Sequence, residues 1–131
     1  MSAEWEIAII RRLQADAAVS AYCGDRIYWD IRPQDDALPA IVATLIADPR
    51  PQNYGGFNSV RESRVQFDVI AASASAAAEI QEALIAALAG PFVQSGVEFQ
   101  RMFFDLVRSV SAADATGAIY GRQIDAQILH N

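Results

Sequence analysis

Hydrophobic positions along this chain follow two periods, and the switch between them marks out the elements. From Glu4 to Ser20, Trp5, Ile9, Leu13 and Ala17 recur four residues apart with Ile10 beside them, while Glu6, Arg12 and Asp16 fall elsewhere. That spacing predicts an amphipathic helix with one buried stripe. Ser2 is its expected cap, Glu4 and Glu6 place negative charge where the helix dipole favours it, and Gly24 ends it. Arg26-Ile27-Tyr28 then reads as a short strand. Pro33 and Pro39 each lack a backbone N–H and push the preceding residue toward extended geometry, so Gln34 to Pro39 is a predicted loop. Ala40 to Ala47 is an almost unbroken aliphatic run, the pattern of a strand buried on both faces.

Asp48 to Ser59 follows, where Pro49, Pro51, Asn53, Gly55, Gly56 and Asn58 favour turns, which predicts a long exposed loop spanning about 48–62. Arg61 to Ala71 alternates strictly, with Val65, Phe67 and Val69 on one face and Arg64, Gln66 and Asp68 on the other, so a half-buried strand antiparallel to its predecessor is expected. Ser73 or Ser75 caps a second helix running through Ala89, with Ala77, Ile80, Leu84 and Leu88 at helical spacing and Gly90-Pro91 as its stop. Val97 to Val107 has strand composition with a faulty alternation that a bulge near Arg101 to Phe104 would repair. Ser109 to Gly117 reads as a loop of small residues, and Tyr120 to Leu129 as a last half-buried strand. The expectation is one α+β domain over 1–131, with two helices on one face of a mainly antiparallel sheet in the order α-β-β-β-α-β-β.

Composition narrows the chemistry. All 10 basic residues are arginine, against 16 carboxylates, for a formal charge of −6. With its arginines scattered, the chain lacks the basic stripe that binding phosphates requires. No apolar run approaches the roughly 18 residues that span a bilayer, and the acidic start MSAEWEIAIIRR is the reverse of a secretory signal, so residence in a cytoplasm until assembly is expected. A lone Cys23 reads as a small buried hydrophobe, and the single His130 leaves no Cys/His cluster for a metal. No nucleophile with a base is evident; Asp35-Asp36 reads as solvated charge, and Tyr54-Gly55-Gly56-Phe57 lacks the lysine and spacing of a phosphate loop. The reading is therefore no enzyme and no cofactor. Tyr54 and Phe57, on a glycine-hinged arm, are either interface aromatics or folded back on the core. Trp5 and Trp29 read as core or rim packing.

Certain segments resemble the tail-completion or tail-terminator proteins of long-tailed bacteriophages and of phage-derived particles such as gene-transfer agents. They are Gly24-Asp25-Arg26-Ile27-Tyr28, Leu38-Pro39-Ala40-Ile41-Val42, Arg64 to Val69, the alanine-rich Ala76 to Ala89, and Tyr120-Gly121-Arg122 with Ile124-Asp125. Trp29-Asp30 and the Pro49 to Pro51 approach depart from the family's plainer pattern. The resemblance implies a structural virion protein at the head–tail junction, assembled in the host cytoplasm. It implies a homo-oligomeric ring, a hexamer, at the head-proximal end of the tail tube. Its partners would be its own copies, the tail tube protein and a head-completion or connector protein, with DNA passing through unbound and no membrane involved. Asn53, Tyr54, Gly55, Gly56, Phe57 and Arg61 are the candidate contacts. The alternatives are another connector or minor tail subunit, and a small cytoplasmic enzyme or regulator.

Overall fold

A computed structural model describes residues 4–31, 38–48, 52–53, 56–57, 61–114 and 117–130. Helices α1 (Glu4–Ala15) and α2 (Ala17–Cys23) replace the single predicted helix. The break falls at Asp16, whose backbone is extended and whose carboxylate accepts from the Val19 N–H at 3.1 Å, so Asp16 caps a new helix rather than continuing the old one. Gly24, at φ 56, closes α2 as expected.

Strands β1 (Ile27–Trp29) and β2 (Ala40–Ala47) follow, pairing in parallel. Arg26 holds this corner together, donating to the Pro39 carbonyl at 2.9 Å and the Tyr22 carbonyl at 3.3 Å. A short pair, β3 (Gln52–Asn53) and β4 (Gly56–Phe57), precedes β5 (Arg61–Ala71). Helix α3 (Ala74–Leu88) is capped by Ser73, which accepts from the Ala76 N–H at 3.2 Å. The last strands are β6 (Phe92–Gln94), β7 (Val97–Phe99), β8 (Phe103–Asp114) and β9 (Gly117–His130).

The main sheet runs β1-β2-β5-β9-β7-β6, and β8 pairs with β9 further along that strand. Only β1–β2 is parallel among its pairs. One side of its centre is apolar and fully buried: Val65, Phe67 and Val69 from β5, Ile124, Ala126 and Ile128 from β9. Those side chains share one core with Ile9 and Leu13 of α1, Val19 and Cys23 of α2, and Ile80, Leu84 and Leu88 of α3. Burial lifts the Cys23 thiol from its ordinary 9.0 to about 11, in keeping with an inert core residue. Arg12 is no surface charge: it donates to the Ala87 carbonyl at 3.0 Å and lies 4.2 Å from the Phe92 ring centroid, which ties α1 to α3 and β6.

Four expectations need correction. Three helices, not two, supply the core, and extra strands lengthen the predicted order. β2 is buried only from Ala40 to Ala43; Leu45, Ile46 and Ala47 are exposed where the strand outruns its cover. Val97 to Val107 is two strands, the bulge falling between Phe104 and Leu106. Of the expected loop at Ser109 to Gly117, Ser109 to Asp114 and Gly117 are instead strand: β8 stays paired with β9 as far as Asp114↔Gly117.

Candidate assembly surfaces

A buried polar node joins the two ends of the chain. The Ser63 hydroxyl donates to Asp48 Oδ1 at 3.0 Å and lies 2.9 Å from His130 Nε2. Ser63 has one proton and gives it to Asp48, so the imidazole must be the donor at Nε2. The His130 ring stacks on Trp5 at 4.6 Å, and Trp5 meets Trp29 edge-on at 5.8 Å. In a nucleophilic triad the histidine stands between serine and acid and takes the serine's proton. Here the serine stands in the middle, and both Ser63 and His130 are fully buried. The node therefore acts as a clamp, fixing the residue before the 49–60 segment to β5 and β9. Ser63 and His130 are 67 residues apart, so no sequence spacing could have announced the pairing.

The clamp sits at the base of the sequence-predicted contacts. Asn53 and Gly56 face each other across the β3–β4 pair, as do Gln52 and Phe57. Arg61 opens β5 in register with His130. Tyr54 and Gly55 lie outside the described residues, as does the rest of the expected loop save Asp48, the two short strands, and Arg61 and Glu62, which open β5.

Sequence reasoning missed the surface at the other end. β8 is 12 residues long and pairs only with β9 among the described residues, leaving its outer edge open. Phe103, Leu106, Val107 and Val110 are all exposed along it. Its two charged side chains between Phe103 and Ser111 are already engaged: Asp105 with Arg64 at 2.8 Å, Arg108 with Gln123 at 2.7 Å. Natural sheets usually blunt such an edge with lysine, proline or a very short strand, and β8 has none of these. A long apolar edge of this kind is a place where another chain can add.

On the helix-free side of the sheet, β8 and the central strands line a groove of about 400 Å³, with Asp30, Val42, Asp68, Ile70, Val110 and Ile119 among its lining residues. Gly121 forms its floor. A Cβ there would lie 2.3 Å from the Val110 carbonyl oxygen, so only glycine lets β8 close on β9 at this point. A second groove of about 410 Å³ runs between α1 and β1, the end strand of the sheet among the described residues, past Ile7, Ile10, Tyr28 and Trp29.

An α+β unit with open strand edges, apolar grooves and a polar node locked inside is a subunit shaped for assembly. The chain belongs to the family described as tail completion protein gp17, whose model matches residues 7–130. Its fold is similar to that of a chain in the "Virion of native gene transfer agent (GTA) particle", with a TM-score of 0.66 and 18% identity over 96% of this chain and 94% of that one. No curated protein matches it. Family membership makes it a structural protein of a phage-type tail.

Proposed function

We propose that the protein is a tail terminator, forming a ring at the head-proximal end of the tail tube, halting tube polymerisation and joining tail to head connector. Family membership supports a tail-completing role, and the open, apolar β8 edge is the observation that carries the rest. A subunit that stops a polymer must bind its own copies laterally and the last tube layer axially, and an exposed strand beside apolar grooves serves such contacts. The proposed ring is a hexamer.

The helix-free sheet side carries Asp68 and Asp125 on the central strands, with Arg64 drawn to Asp105. An acidic domain around a channel repels DNA phosphates, so the genome slides through without binding. The segment bearing Asn53, Tyr54, Gly55, Gly56 and Phe57, with Arg61 at its end, meets the tube or a neighbouring subunit, held in place by the Asp48–Ser63–His130 clamp. Deletion of Asn53 to Asn58 is expected to leave a monomer with the native melting profile and to abolish attachment to tubes in a pelleting assay. Unchanged pelleting would refute this role for the segment.

A further inference from the structure

The groove beneath Val110 is apolar on its walls and acidic at its mouth, and one surface of this chain has the matching chemistry. Asp30 holds a left-handed backbone, φ 70, with its N–H donated to the Ala43 carbonyl at 2.7 Å, which directs the residue to the groove. Its carboxylate has no hydrogen-bonding or ionic partner among the described residues. Asp68, on the same groove, accepts only weak bonds from Gln66 at 3.3 and 3.4 Å. Arg122 also lines the groove, but its guanidinium donates to Gln81 of α3 at 2.8 Å across the sheet, and Arg108 donates to Gln123. Two carboxylates flanking Val42, Ile70, Val110 and Ile119 therefore call for a cation joined to an apolar group.

Arg101 and Phe103 are that combination. Met102 between them is buried, while Arg101 and Phe103 on either side of it are exposed. Phe103 is 51% exposed, and Arg101 has no partner among the described residues. Seven residues of β8 separate Phe103 from Val110, about 24 Å at the usual strand rise, so the pair cannot reach its own groove.

We propose that the groove receives Arg101 and Phe103 of a second copy of the chain, the guanidinium meeting Asp30 and Asp68 and the ring packing on Val110 and Ile119. The two patches differ, so the contact is heterologous and propagates head to tail, the geometry that closes into a ring. This rests on the ring reading above and names the contact that builds it.

The test is a charge swap read by mass photometry and by negative-stain microscopy, on the protein alone and on tail tubes. The fold of each variant is checked by thermal melting. R101E is expected to raise the concentration for half-assembly at least tenfold, and D30N, whose asparagine tolerates the left-handed backbone, to do so less. R101D combined with D68R in one chain is expected to restore rings. If wild type forms rings and folded R101E forms them equally well, this contact is wrong while the ring reading stands. If R101E keeps its ring but loses tubes, the occupant is the tube protein and the proposal fails. If wild type forms no ring alone or on tubes, both readings fall.

Discussion

The two sides of the β5–β9 pair are built from the same strands and do opposite work. On the helix side, Val65, Phe67, Val69, Ile124, Ala126 and Ile128 are fully buried and hold the domain together. On the helix-free side, the alternate positions Arg64, Gln66, Asp68, Gln123, Asp125 and Gln127 stay partly solvated and bond with one another and with β8. Glu62 and Gln127 form one such cross-strand pair. Alternation along a strand thus separates a face that makes the fold from a face left free to meet neighbours. Substitutions on the first should cost stability, and substitutions on the second should cost assembly.

The sharpest way to break that division is Phe67→Ala, which empties a fully buried ring site and is expected to cost about 3–5 kcal/mol in chemical unfolding. Gly121→Ala comes next. Its methyl would press on the Val110 carbonyl, so a loss of about 1–3 kcal/mol is expected, with faster amide exchange along β8 and β9 than elsewhere. Ser63→Ala leaves Asp48 and the His130 N–H without their shared hydroxyl, at a cost of about 1–3 kcal/mol. Restoration of stability by threonine but not by valine would show that the hydroxyl, not the volume, matters.

Cys23 gives a pH signature of the buried side alone. Its thiol stays protonated in the folded state up to about pH 11, whereas in the unfolded chain it ionises near the ordinary 9.0. The unfolded state therefore binds fewer protons between those values, and the thiol's contribution to stability is expected to be flat up to about pH 9 and to fall from there to about pH 11. Cys23→Ala should flatten that limb in a series of denaturant melts; an unchanged limb would contradict it. The smallest stability effect belongs to Leu106→Gln on the open edge, which sets no second carboxylate opposite Asp125: no measurable change in melting, but lost self-association.

Much of the buried side was legible in the sequence. β5 alternates at every position from Ser63 to Ala71 and α3 repeats its apolar residues at helical spacing, because each element buries one face only. The open side was not. From Asp105 to Ser111 β8 is exposed on both faces, so nothing forces its side chains to alternate, and Ser109 to Asp114 looks like a small-residue loop. Asp16 carried a legible signal that the apolar stripe overrode: its cap begins α2. His130 looked inert beside the C-terminus because its burial depends on Trp5 from the far end of the chain. The family resemblance reached the family of the chain through segments that are mostly scaffold, and it left the β8 edge and the groove at Gly121 unread.

The most direct test of the terminator role is the length of tail tubes seen by electron microscopy, assembled from tube protein with and without this chain. The account predicts tubes of bounded length carrying a ring at one end when the protein is present, and overlong tubes without it. Equal length distributions, with no ring at either end, would contradict it.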